Sequence, residues 1–231
     1  MKIWLFTLSF LFPLFCSSAN FPSSGKLVYK LSFEDQYLGT VNVDFKSDKN
    51  SYEIAATSNF FGMMKLVGDY QIVSQGKKIM NNYLPLKITR KNLKKNKITT
   101  TSIDYKNKLI QIERKNKVKE YQLKENTQDI VSYFFELNSK KEIPKEIKFT
   151  ILDSYDYNEY VYTKIQDEKL QVGKKIIDVS KYQGRINGDD NIHHIWISMK
   201  NFHIPVKIVT PTPIGIIVTQ ELIKGKLLDN I

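Results

Sequence analysis

From residue 26 onward, apolar and polar positions alternate with a period of two. Leu27, Tyr29, Leu31 and Phe33 fall on one side of the segment 26–33, and Lys26, Val28, Lys30 and Ser32 on the other, the spacing of a strand that covers a core with one face. Val41, Val43 and Phe45 repeat the pattern in 40–46, and Tyr52, Ile54 and Ala56 in 51–58. The short connection 34–39 makes the first two strands an antiparallel hairpin. Further strands are predicted at 69–74, 82–91, 97–105, 108–114 and 118–123, with turns at 106–107 and 115–117. Pro85 falls near the start of its strand, where an edge or entry position tolerates it. Short strands recurring about every ten residues point to an all-β barrel or sandwich.

Two stretches break the alternation. In 59–68, the residues Phe60, Phe61, Met63, Met64, Leu66 and Val67 are too many apolar groups for an ordinary loop. They fit a short helix or crossover that plugs one end of the barrel or sandwich. They equally fit a greasy lip beside an apolar cavity, where flexible methionines adapt to a ligand, which makes Phe60, Phe61, Met63, Met64 and Leu66 candidate ligand-binding residues. In 127–137, Thr127 or Asp129 can cap a helix whose Ile130, Tyr133, Phe134 and Leu137 share one side.

After a polar link at 138–145 containing Pro144, strands resume at 147–152, 159–165, 170–172 and 175–182. Beyond a turn at 184–191 comes the ribbon 192–222, cut by turn signals into three strand-length pieces. Its first piece, 192–199, places His193, Ile195, Ile197 and Met199 on one face and Ile192, His194, Trp196 and Ser198 on the other. Neither face is polar, so both need cover, one of them from the short helix. No repeat or composition shift marks a boundary inside the chain. The expected fold is all-β: a curved antiparallel sheet closing toward a barrel or sandwich, with one short packed helix near 129–137, in a single domain over 20–231.

The first 19 residues read differently. Met1 and Lys2 precede an apolar run, 3–15, broken only by Thr7, Ser9 and Pro13, and Ser17, Ser18 and Ala19 follow. This is the layout of a signal peptide cleaved near Ala19 and Asn20, and the run is well short of the roughly 20 residues of a membrane-spanning helix. The one cysteine, Cys16, follows the bulky Phe15, where lipidation would want a small residue. Cleavage leaves the chain without cysteine, which excludes disulfides, zinc–thiolate sites and thiol nucleophiles. An exported protein of this kind depends on its core.

Formal net charge is +11, and arginine supplies only Arg90, Arg114 and Arg185 of the 35 basic residues. That scarcity argues against nucleic acid as a partner. The segment 87–119 holds 12 basic residues against Asp104 and Glu113. Its lysines suit a solvated face with protected edges. Alternatively Lys91, Lys94, Lys95 and Lys97 form a patch for an anionic envelope surface.

Candidate chemistry is sparse. His193 and His194 project to opposite faces of a strand and cannot share a metal, and His203 adds no ligand spacing, so no metal site is assigned. Asp153, Asp156 and Glu159 could pair as hydrolytic carboxylates, and Asp189 and Asp190 fit turn chemistry. Tyr155, Tyr157, Tyr160 and Tyr162 could stack on a sugar or simply pack. Ser132 lacks a nucleophile elbow, and no nucleotide-binding loop occurs. No catalytic residue or cofactor is assigned.

The segment 128–137 (QDIVSYFFEL) resembles the Asp-x-x-Ser helix of the exported bacterial proteins in domain-of-unknown-function family 3108. The run 195–198 (IWIS), then 205–208 (PVKI), Gly215 and Leu222 are similar to that family's ending, and Gly39, Leu84 and Pro85 fit its layout. Lys200 and Asn201 depart from it, because an acidic residue is expected there. The resemblance covers nearly all of the chain beyond the leader and implies a mostly antiparallel β protein of the Gram-negative periplasm. It implies no activity, cofactor or catalytic residue. The functional expectation is a non-enzymatic binding or chaperone-like module for an apolar or amphipathic envelope ligand. The alternatives are an interaction protein in envelope assembly and a hydrolase of envelope polymers.

Overall fold

The computed structural model describes residues 21–80, 82–139, 142–152, 157–186, 191–200, 202–211, 216–225 and 227. The leader with Cys16, the residues Asp153, Tyr155, Asp156, Asp189 and Asp190, and Asn201 and Gly215, lie outside the described residues.

The strands are β1 (Ser24–Phe33), β2 (Gln36–Ser47), β3 (Ser51–Phe60), β4 (Tyr70–Ile79), β5 (Asn82–Asn92), β6 (Lys97–Asp104), β7 (Leu109–Arg114) and β8 (Lys117–Gln122). They continue as β9 (Thr127–Asp129), β10 (Glu146–Leu152), β11 (Tyr157–Val172), β12 (Lys175–Ile186), β13 (Ile192–Ser198), β14 (Pro205–Pro211) and β15 (Ile217–Gly225). All belong to one sheet in the order β8-β7-β6-β5-β4-β3-β2-β1-β15-β14-β13-β12-β11-β10-β9. The alternating segments thus became an antiparallel meander on each side of a central β1–β15 ladder, which runs from Leu27 opposite Gly225 to Ser32 opposite Thr219; only the short β9 departs, pairing parallel with β10.

The two outermost strands, β8 and β9, are joined by residues 123–126 alone. Extended chain covers at most about 3.5 Å per residue, so the two ends of the sheet come within roughly 18 Å of each other there. The sheet therefore curls toward closure without a ladder between its edges. Side chains bridge the seam. Leu152 of β10 is buried in one cluster with Ile88, Ile103, Ile110 and Ile112 of β5–β7. The Tyr157 hydroxyl accepts from the Lys124 amide at 2.7 Å and lies 2.6 Å from Thr127 Oγ1.

Local sequence explains the irregular points. Gly39 has φ +147°, and a Cβ there would lie 2.2 Å from the Asn59 carbonyl oxygen, so no other residue fits. The β4 register shifts between Gln75 and Gly76, opposite Pro85. Pairing of β5 with β6 begins only at Lys87, so the missing proline N–H faces no ladder on that side. The predicted strands 159–165 and 170–172 are one strand, β11, because a register shift between Lys164 and Gln166 reverses the alternation midway.

The helix α1 (Ser132–Glu136) continues as a 3₁₀ turn, Leu137–Ser139, and fills the interior. The Phe135 ring lies 5.1 Å from Phe45, 5.8 Å from Phe21 and 5.9 Å from Tyr83. Tyr133 and Leu137 share a buried cluster with Ile195 and Ile197 of β13, so the helix does cover one face of the ribbon. On the other face Trp196 belongs to a buried cluster that includes Val179, Phe202 and Ile204. There Trp196 is flanked by the amines of Lys181 and Lys207, 4.9 and 5.6 Å from its ring centre, and its indole N–H donates to Glu168. Long lysine stems roof the indole while their charges stay in water.

Candidate functional site

The apolar stretch after β3 forms a 3₁₀ helix, Gly62–Leu66, with no buried residue. Gly62 and Gly68 bracket it with φ of +56° and +85°, which throws the segment outward. Phe61 is 62% exposed, Met63 85% and Leu66 71%, while Phe60 and Met64 are half-buried. The Phe61 ring meets only the exposed Tyr37 among the described aromatic contacts, at 5.9 Å. The segment is therefore no plug. It is a lip, but one that faces solvent and lines no apolar cavity formed by the described residues.

The lip is stitched to the β5–β6 turn. Asp69 accepts from the Phe60 amide at 2.6 Å and, through its carbonyl, from the Leu93 amide at 2.8 Å. The buried Asn92 donates its side-chain amide to the Val67 carbonyl at 3.2 Å and accepts from the Lys95 amide at 2.7 Å. Gly68 lies so close to Lys94 that a Cβ on it would sit 2.8 Å from the Lys94 Cβ. Exposed Phe61, Met63, Leu66 and Leu93 thus share one end of the N-terminal meander with exposed Lys65, Lys94 and Lys95.

Between the β5–β6 and β7–β8 turns at that same end lies a cavity of about 520 Å³. Tyr70, Arg90, Asn92, Lys95, Lys97, Thr99, Arg114 and Lys115 line it, together with Glu113. The register explains the convergence. Arg90 pairs with Thr99 and Thr99 with Arg114, so all three project to one face. Two residues further along, Ile88, Thr101 and Ile112 occupy the equivalent row and are buried, which identifies that face as the interior one. The Arg90 guanidinium packs over the Tyr70 ring at 4.7 Å. Of the predicted basic patch, Lys95 and Lys97 line the cavity and Lys94 borders the lip. Lys91 projects from the opposite face of β5. Sequence reasoning counted both arginines among the 12 basic residues of 87–119 but named only lysines for the patch; the signal for the shared row lay in the cross-strand register.

A second polar group lies deep in the interior. Asp129 is fully buried. Its Oδ1 accepts from the Val131 and Ser132 amides, both at 2.9 Å, and its Oδ2 accepts from Ser74 Oγ at 2.5 Å. Ser132 Oγ donates to Gln128 Oε1 at 2.7 Å, and Gln128 Nε2 donates to the Tyr83 carbonyl at 2.8 Å. Ser74 Oγ also lies 3.1 Å from the Tyr52 hydroxyl. Glu136, on the same short helix, accepts from the Tyr83 amide at 2.8 Å. Burial pushes the Asp129 carboxyl above its usual range, partly offset by the donors around it. Asp129, one of the two predicted caps, lies in β9 two residues ahead of the helix's N-cap, Val131, and acts instead as a clamp between the start of α1 and β4. The Asp-x-x-Ser spacing was its visible trace.

Among the described residues the other candidates do not assemble. His193 is buried edge-on to Tyr160 at 5.8 Å, while His194 lies against Trp196 at 6.0 Å. Burial holds the His194 imidazole below its usual value. Glu159 pairs with Lys124 at 2.6 Å on the surface, and its suggested partners lie outside the described residues. Tyr160 and Tyr162 are stacked at 6.1 Å with Tyr162 buried. Among the described residues no three His, Cys, Asp or Glu side chains are placed to hold a metal ion. No described helix is long and apolar enough to cross a membrane.

The profile of the family described as "Protein of unknown function (DUF3108)" matches residues 28–222. The chain belongs to the DUF3108 family. That span takes in both meanders, α1, the lip and the basic cavity. In a search of curated proteins no sequence matches. Among solved structures, the chain is similar to the crystal structure of a β-barrel-like protein of DUF1849 from Brucella abortus. The TM-score is 0.49 and the sequence identity 11%, over 88% of this chain and 97% of that one.

Proposed function

We propose that this DUF3108 protein is an exported, non-enzymatic periplasmic module that binds anionic amphipaths of the envelope at its surface. One observation carries the reading: the exposed apolar lip and the basic β5–β6 turn are hydrogen-bonded into a single end of the meander. Exposed Phe, Met and Leu beside lysines suit a lipid surface, where apolar side chains enter the acyl boundary and cations meet the head groups. The interior is occupied by α1 and its aromatic contacts, which favours binding outside the sheet rather than enclosure within it.

Flotation with vesicles of phosphatidylcholine, with and without phosphatidylglycerol, tests this. The protein should float with the anionic vesicles and lose binding as salt rises. Changing Phe61→Ser together with Leu66→Ser should weaken partitioning about 10-fold or more, given ~1.5–3 kcal/mol for each fully buried large apolar side chain. Equal binding by this variant, or no flotation of the wild type, would refute the proposal. The filled interior also supports a second reading, in which the lip docks an envelope-assembly protein. A photocrosslinker at position 61 would then trap one dominant protein in cells instead of lipid.

A further inference from the structure

We propose that Met63, on the apolar lip, is an oxidation site for hydroperoxides, and that its conversion to the sulfoxide releases the lip from a lipid surface. The release rests on the lipid-surface reading of the lip given above; the oxidation rests on the lip's geometry alone.

The chain has five methionines, Met1, Met63, Met64, Met80 and Met199. Two of them stand side by side in the 3₁₀ helix Gly62–Leu66, which buries no side chain. The Met64 amide donates to the Phe61 carbonyl at 3.2 Å, and the Val67 amide to the Met64 carbonyl at 3.1 Å. With roughly three residues per turn, side chains at i and i+3 eclipse, so Met63 and Leu66 form one ridge, and Phe61 and Met64 belong to the next. Met63 and Leu66 are the most exposed apolar residues of the lip, at 85% and 71%. The Met63 thioether is therefore both open to a peroxide dissolved in water and placed where contact with a surface begins. Met64 is half-buried and less accessible.

The chemistry needs only the thioether and the peroxide. A sulfur lone pair attacks one peroxide oxygen, and the S–O bond forms as the O–O bond breaks. The departing hydroxide takes the proton of the transferred oxygen and leaves as water. Sulfur is oxidised by two electrons and the peroxide is reduced by two. A flexible apolar side chain becomes a polar one. Because the 3₁₀ helix buries nothing, this changes the lip's surface without opening the core. Met80 supplies an internal control. It is 89% exposed, but it follows the last residue of β4, whereas the lip precedes the first.

The test treats the full chain with hydrogen peroxide, locates the sulfoxide by peptide mass spectrometry, and repeats flotation with phosphatidylglycerol vesicles. Met63 should oxidise ahead of Met64. The treated protein should partition about 10-fold more weakly, since most of one large apolar side chain's contribution is lost. Methionine sulfoxide reductases should restore partitioning, which separates this effect from irreversible damage. Met80→Leu should keep the full response. In Met63→Leu the ratio of treated to untreated partitioning should return to within about 2-fold of unity, whatever the untreated value. Oxidation of Met64 ahead of Met63, a full response in Met63→Leu, or equal flotation before and after oxidation overturns the inference and leaves the lipid reading standing. Absence of flotation by the untreated protein overturns the lipid reading and the release together.

Discussion

The interior face of β4–β6 carries two polar regions with opposite characters. Around Ser74 and Asp129, the Ser74 hydroxyl and the Val131 and Ser132 amides all find the carboxylate as partner inside the fold, and that carboxylate is shut away from water. At the mouth, in line with Ile72, the row Arg90–Thr99–Arg114 opens between two turns, with exposed Lys95 and Lys97 beside it. Buried polar groups that satisfy one another fix architecture, because each lost partner exposes a desolvated atom. Cations at an opening keep contact with water, even where one of them, Arg90, also packs on the Tyr70 ring.

Breaking the deep cluster should have the largest effect. Asp129→Ala strands the Ser74 hydroxyl and two helix amides, and should cost about 3 kcal/mol or more of stability by chemical denaturation. A loss below about 1 kcal/mol would mean that the clamp is dispensable. A pH series sharpens the same point. Asp129's folded-state pKa lies above its unfolded value, so its contribution is fully present below an unfolded carboxylate pKa of about 3.9 and is lost as pH rises through the raised folded value. The stability difference between wild type and Asp129→Asn should therefore shift toward wild type as pH falls. Surface acids held below their usual range, such as Asp167 beside Lys164 and Ser180, titrate in both proteins and cancel. A flat or opposite trend would contradict the burial argument. The smallest effect is expected at the seam, where Tyr157→Phe removes one acceptor and should cost about 1 kcal/mol. An unchanged unfolding midpoint would show that the seam is held by Leu152 and its neighbours alone.

Most strands were legible because one wet face leaves a period of two, as in Leu27–Tyr29–Leu31. The β9 strand was not: Thr127, Gln128 and Asp129 are all buried, and three residues carry no period. Trp196 suggested cover, and it does sit in a buried cluster with Val179, Phe202 and Ile204; the part played by the stems of Lys181 and Lys207 was hidden because sequence counts lysine as polar. The lip and the basic patch were each visible as composition. Their union was not, because it depends on Asn92 reaching Val67 across paired strands. Rarity of arginine read as a mark against nucleic acid; that register sets two of the three one strand apart from Thr99 was invisible, because no count along a chain contains register.

The β1–β15 ladder sets the order in which this chain can complete itself. Tyr29 lies opposite Leu222, so the pairing at the centre of the sheet closes nearly the longest loop in the protein, while every other antiparallel pair joins strands consecutive in sequence. Hairpins form early and distant ladders late, since loop closure must precede their contacts. During synthesis, β1 therefore remains a bare, template-like edge until residues 217–225 arrive. The chain is most exposed to aggregation at the strand that ends up in the middle of its finished sheet.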